Sequence, residues 1–365
     1  MTNPSTQNLD GSGTVKRPRL GDRMFSKKTL AVSVIAIALF GVTAFRFLDI
    51  DWDEIWGQVK DVDLVTYLLA GLLYYLSFWF RGIRWRLIVR ASGVSEGTDI
   101  RAIGNLKYAA IILMGWFANS VAFFRLGDAY RAYALHRETG ISLASSLGTV
   151  LGERAQDILL VLGLLVIAAG GLLITGEVTL PVYVLAAAGL VSVLTLFGLI
   201  MMRLYGDQLA RILPNRIEAL YRPIQAGALG SFQLRHFPLQ IFLGVIGWCL
   251  EIGRFYLVAE SLGLDISFFI IMAAALTIAV LSTIPTPGGF GFVEGGLTGV
   301  LIFLGLGDTE AFTLTLVDRS ISWISIIVFG GTLFAAWQTF AVRRVRKRHN
   351  VSNSASTKRG MPHTN

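Results

Sequence analysis

Between Leu281 and Gly299 the chain runs LSTIPTPGGFGFVEGGLTG, breaking an otherwise apolar region with prolines and glycines. Pro285 and Pro287 lack backbone donors and disfavour helix in the residues before them, while Gly288, Gly289, Gly291, Gly295 and Gly296 admit backbone conformations closed to other residues. A continuous helix is therefore disfavoured here. In hydrocarbon, backbone groups freed from a helix are tolerated only when buried in protein or lining a watery cavity. The stretch is thus expected to be a re-entrant or broken helix facing a pathway, with Glu294 just beyond the break as an ionisable residue at membrane depth. The alternative is a surface loop joining two ordinary helices.

Composition places the chain in a membrane. Hydrophobic residues make up 54% of the 365 and charged residues only 15%, with a mean hydropathy of +0.62, which defines a polytopic membrane protein. The longest polar stretches are the two tails and Arg203–Arg235, each too short to bury a core of its own. The single cysteine, Cys249, excludes an intramolecular disulfide, and Cys/His spacing of the zinc type is absent. Neither a cofactor nor a metal is called for. The net charge of +8 comes from basic residues flanking apolar runs, the pattern that orients helices in a membrane; nucleic acid is not an expected partner.

Charge asymmetry then orders the segments. Residues 1–28 are polar and end in Lys16, Arg17, Arg19, Arg23, Lys27 and Lys28, as in a disordered cytoplasmic tail. Thr29–Leu48 is a first span and uncleaved anchor, followed by an outer loop rich in Asp49, Asp51, Asp53, Glu54, Asp61 and Asp63. Leu64–Phe80 returns, and Arg81, Arg84, Arg86 and Arg90 mark the cytoplasmic side. Leu106–Phe124 is flanked by basic residues at both ends, so it is expected to be a re-entrant hairpin from the cytoplasm. Ile141–Ile174 and Leu180–Met202 cross outward and back. Residues 203–236 form a cytoplasmic amphipathic linker. Phe237–Leu262 crosses outward, Phe268–Thr283 and Phe292–Leu306 flank the broken stretch as a hairpin entering from outside, and Ala311–Phe340 crosses back to a basic tail, 341–365.

The expected fold is all-α and polytopic, with about six spanning helices plus two oppositely oriented re-entrant hairpins, eight hydrophobic segments in all. Both termini are cytoplasmic and the location is the cell membrane. Short echoes relate the halves as an inverted repeat: Arg84-Trp85 with Arg254-Phe255, the Asn119–Asp128 region with Pro285–Glu294, and Glu153-Arg154 with Asp318-Arg319. Such halves frame alternating-access transporters.

Charges at membrane depth are the candidate site. Glu153 and Asp157 share a helix face at i,i+4, with Arg154 between them, and Glu251 and Arg254 at i,i+3 are placed to pair. Asp318 and Arg319 repeat the acid–arginine order. An unpaired charge at the bilayer centre costs about 2.5–3.5 kcal/mol on insertion scales, so these groups face inward and pair with one another or with a substrate. Read singly, each pair fits an ion pair that fixes helix packing; as a set beside two broken segments they point to a polar pathway.

The set Arg84-Trp85, Asn119, Arg125-x-Gly127-Asp128-x-x-Arg131, Glu153-Arg154-x-x-Asp157, Pro285-x-Pro287-Gly288-Gly289-x-Gly291-x-x-Glu294 and Asp318-Arg319-x-x-x-Trp323 resembles the flippase-like transmembrane domain of lysylphosphatidylglycerol synthases. That family also includes stand-alone membrane proteins, and the resemblance covers the hydrophobic chain, residues 29–340. One position departs from the pattern: Phe123 stands where a proline is expected. The resemblance implies movement of a polar-headed lipid between leaflets, such as an aminoacylated phospholipid, another phospholipid or a polyprenyl-phosphate-linked sugar. Arg125, Arg131, Arg154 and Arg254 would engage a phosphate, and Glu153, Asp157, Glu294 and Asp318 would neutralise them or bind an amine or a proton. The 25-residue basic tail cannot fold into the soluble transferase domain of full-length synthases, so no enzyme activity is expected.

Two alternatives stand beside lipid transport. A non-transporting subunit would scaffold a lipid- or glycan-modifying enzyme through its basic tails. A membrane glycosyltransferase would hold a metal and a lipid-phosphate donor at Asp49, Asp51 and Asp53.

Overall fold

The computed structural model describes residues 52–94, 103–176, 182–284 and 286–339. The tails, the first expected span, Asp49, Asp51 and Pro285 lie outside the described residues. Those that are described are helical, with no strand among them.

A short helix α1, Trp52–Lys60, carries Asp53 and Glu54 in its first turn and Lys60 in its last, each charge complementing the helix dipole. Helix α2, Leu64–Ala91, starts at Asp63, whose carboxylate accepts hydrogen bonds from the Val65 and Thr66 N–H groups. The Thr66 hydroxyl also donates to it, and these bonds hold the Asp63 carboxyl below its ordinary pKa. The Asp63 N–H donates in turn to Ser261 O at 2.8 Å, tying the start of α2 to the end of α8, Phe237–Ser261.

Helix α2 extends eleven residues past the span expected from the sequence. Its buried residues Ala70, Tyr74, Ser77, Phe78, Arg81, Arg84, Trp85 and Ile88 recur every three or four positions and form one inward stripe. Arg81 and Arg84 thus occupy core positions rather than marking the membrane surface. Arg90, by contrast, is exposed.

The first break lies between α3, Asn105–Val121, and α4, Leu126–Thr139. The basic stretch after Phe124, expected to be a flank, is itself a helix that packs against α3, the two forming the arms of a helical hairpin. At 17 and 14 residues the arms reach roughly 25 and 21 Å, short of the roughly 30 Å hydrocarbon core. Gly127 fixes their approach, because a Cβ there would overlap the Gly115 carbonyl oxygen and the Asn119 amide. The proline absent at Phe123 is not required: Phe124 and Arg125 turn the chain with φ of 59° and 52°.

Helix α5, Leu143–Thr175, and α6, Val182–Ile212, are long and apolar. The segment expected to be a linker is helical over most of its length. Helix α6 runs on to Ile212, and α7, Asn215–Gly230, packs along α5. Helix α8 is followed by α9, Phe268–Leu281, a turn at Pro287–Gly289, and α10, Phe292–Phe303, so the second break falls where the sequence placed it. The last helix, α11, spans Asp308–Thr339 and contains π-helical turns at Ser320–Ile324 and Ile326–Gly330. Tyr67 and Tyr75 of α2 bond the Ser320 and Ser325 hydroxyls, both at 2.7 Å, and Tyr74 donates to Ser322 O at 3.0 Å. Among the described residues five helices, α2, α5, α6, α8 and α11, are long and apolar enough to cross a membrane. They match five of the six expected spans.

Candidate functional site

The two hairpin breaks meet. Arg125 Nη1 donates to Ser282 O at the end of α9, 3.3 Å away, and Trp323 Nε1 donates to Ser120 O at the end of α3, also at 3.3 Å. Gly288 lies against the Trp323 indole, where a Cβ would overlap the ring. Beside this junction opens a cavity of about 410 Å³.

Much of the cavity lining is charged. On the side of the first hairpin, Arg154 of α5 donates to both oxygens of Asp128 of α4, at 2.8 and 3.3 Å. Asp128 lies also within 3.6 Å of Arg125 and 3.9 Å of Arg131. Arg131 pairs with Glu153 and stacks on Trp85 at 4.4 Å. Arg84 pairs with Asp157 and bonds Gln156 at 3.2 Å. On the side of α8 and α11, Arg81 meets Glu251 at 3.1 Å, Glu251 meets Arg254 at 3.2 Å, and Arg254 pairs with Asp318. Each buried charge therefore has an opposite charge in reach, as low dielectric requires.

Arg319 and Glu294 build the second break. Glu294 accepts from the Gly291 N–H at 2.6 Å and from Arg319 Nε at 2.7 Å, while Arg319 Nη2 donates to Gly288 O at 2.8 Å. Two backbone groups of the break, the Gly291 N–H and the Gly288 carbonyl, are thus satisfied by one ion pair.

Of the residues singled out from the sequence, Asn119, Arg125, Asp128, Arg154, Asp157, Glu251, Arg254, Gly288, Gly289 and Arg319 line the cavity. Arg84, Arg131, Glu153, Glu294 and Asp318 sit one layer behind, buried and paired with other charges. Pro287 and Gly291 shape the turn beneath it. Asn119 has a local task as well, accepting the Gly127 N–H at 2.7 Å.

Sequence reasoning missed Arg81 and the aromatic residues around it. Arg81 lies between Trp116 and Trp248, 5.1 and 5.4 Å from their ring centres, and its Nε has no hydrogen-bond partner. Its position three residues before Arg84 on the same helix face was the available signal. Apolar side chains complete the lining: Ile158 and Val161 of α5, one turn on from Arg154 and Asp157 along the same helix, with Ala188 and Val191 of α6 and Ile278 and Ala279 of α9.

Fold and site define a multi-pass helical membrane protein with a charged cavity at the junction of two broken hairpins. The model of the lysylphosphatidylglycerol synthase transmembrane region matches residues 29–330, and the chain belongs to that family. It is 31% identical over 221 residues to a UPF0104 membrane protein of Methanocaldococcus jannaschii, covering 60% of this chain and 93% of that protein. A UPF0104 membrane protein of Methanothermobacter thermautotrophicus is 29% identical over 294 residues, 73% of this chain and 82% of that one. The glycosyltransferase AglD of Haloferax volcanii is 24% identical over 361 residues, covering 86% of this chain but 54% of that protein. No solved structure matches the chain.

Proposed function

We propose that the protein moves a polar-headed lipid between the leaflets of the cell membrane. The headgroup passes through the cavity while its chains follow the apolar side chains of the lining. The mixed lining carries this reading: Arg81, Arg125, Arg154 and Arg254 border the same space as Ile158, Val161, Val191 and Ile278. A headgroup leaving water needs replacement partners, and paired arginines and carboxylates supply them by exchange. A lipid phosphate takes the place of a carboxylate on an arginine, and the freed carboxylate takes an amine or a hydroxyl. In this reading α3/α4 enters from the cytoplasm, α9/α10 from outside, and both termini are cytoplasmic.

Reconstitution in vesicles carrying a fluorescent phospholipid, with chemical quenching of the outer leaflet, tests the activity. The wild type should expose inner-leaflet lipid and Arg154→Ala should not; wild-type vesicles that behave like protein-free ones would overturn the reading. The orientation is checked in a Cys249→Ser background with an impermeant thiol reagent. Arg137→Cys should label from the cytoplasmic side and Asp308→Cys from outside.

One observation favours a second reading. The chain matches about half the length of a protein named as a glycosyltransferase, as a membrane subunit that supports a separate lipid- or glycan-modifying enzyme would. Removing residues 341–365 should then abolish association with that enzyme, whereas a transporter would keep its lipid movement.

A further inference from the structure

The arginines around the cavity differ in how their charge is met. On the side of α8 and α11, Arg81, Arg254 and Arg319 are balanced by Glu251, Asp318 and Glu294. On the side of α4 and α5, Arg84, Arg125, Arg131 and Arg154 share only Asp128, Glu153 and Asp157. One positive charge is left over, and the distances locate it. Arg84 and Arg131 each hold a close carboxylate, and Arg154 grips Asp128 through two hydrogen bonds. Arg125 approaches Asp128 only to 3.6 Å, and its hydrogen bond goes to the neutral Ser282 carbonyl. Its side chain is 31% exposed, more than that of any other arginine in the two networks.

The surroundings reinforce this assignment. Arg125 is the N-cap residue of α4, where the helix dipole adds positive potential. Asp128 cannot serve Arg125 fully while Arg154 and Arg131 draw on it. Arg125 therefore keeps spare donors toward a cavity that Ile158, Val161 and Ile278 also line, a combination that suits an anion carried on an apolar chain. A soluble phosphate would satisfy the guanidinium and leave Ile158, Val161 and Ile278 facing water, whereas a lipid covers both.

Building on the transport reading of the same cavity, we infer that its substrates are lipids with a net-negative, phosphate-bearing headgroup held at Arg125, and that headgroups with surplus amines are rejected. A phosphodiester such as that of phosphatidylglycerol brings one negative charge and cancels the surplus. An aminoacylated headgroup with a net positive charge doubles it.

Native mass spectrometry of the purified full chain, offered phosphatidylglycerol, phosphatidylethanolamine and lysylphosphatidylglycerol in equal amounts, reads this directly. Phosphatidylglycerol should be retained roughly tenfold over the lysyl lipid, the scale of one charge-assisted hydrogen bond. Arg125→Gln should erase the preference and Arg125→Lys should keep part of it. Equal retention of the lysyl lipid by the wild type, or an unchanged preference in Arg125→Gln, overturns the inference. Displacement of bound lipid by millimolar glycerol phosphate overturns it in favour of a soluble phosphate ester. The wild-type ranking needs no variant, so it decides the matter even where a variant fails to fold. Binding is scored apart from movement. Selective binding without translocation would end the transport reading alone, and translocation of both lipids at equal rates would end the charge selectivity alone.

Discussion

The two hairpin breaks reach one geometry by opposite routes. In the second, the left-handed turns fall on Gly288, Gly289 and Gly291, with φ of 60°, 73° and 85°, beside Pro287. Glycine takes these angles at no steric cost. In the first, they fall on Phe124 and Arg125, where left-handed backbone costs roughly 1–2 kcal/mol per residue. The difference has a chemical consequence. Glycine gives a relaxed turn without a side chain, so the second break borrows its charge from Arg319 of α11. The first accepts strain and places its own guanidinium at the tip, facing the cavity. Strain stored where a functional side chain must point is a recurring feature of binding sites.

The comparison breaks most severely at Gly127, which sets the separation of α3 and α4. Gly127→Val should prevent accumulation of folded protein, a loss above roughly 4 kcal/mol; a variant that elutes and melts like the wild type would mean the arms part easily. Next comes the ion pair that carries the second turn. Glu294→Ala leaves Arg319 buried without a counterion and should cost about 3–5 kcal/mol, seen as a lower melting temperature. Adding Arg319→Met should recover part of that loss. The smallest effects distinguish the turns most sharply. Gly289→Ala should destabilise by about 1–2 kcal/mol, whereas Arg125→Gly, which relieves the strained turn but gives up the bond to Ser282 O, should leave the melting temperature nearly unchanged while erasing the lipid preference. Equal destabilisation by both would show that strain at the first turn is negligible.

What could be read from the sequence was what acts locally. The break at Pro287–Gly291 follows from backbone chemistry within five residues, and the Glu251–Arg254 pair follows from helical spacing. Five spans appear where apolar runs predict them. The first hairpin was harder, because its second arm is polar and its turn uses a phenylalanine and an arginine that carry no turn signal. Arg81 was hidden by its neighbours: four arginines within ten residues look like a membrane boundary until the helix continues through them. Partners distant in sequence, such as Arg84 with Asp157 or Trp323 with Ser120, depend on how α2, α5, α3 and α11 pack, and no local pattern announces them.

The seam between the two tips is held by a different order of force from the arms it joins. In the first hairpin the close approach at Gly127, and beside the second the buried pair of Glu294 with Arg319 of α11, resist separation. Across the seam the guanidinium of Arg125 bonds Ser282 O, and beside it the indole of Trp323 of α11 bonds Ser120 O. Bonds of that kind contribute about 1–3 kcal/mol each, comparable to the few kcal/mol that separate interconverting conformations. A ligand competing for Arg125 would take one of these bonds from the seam and loosen it from within.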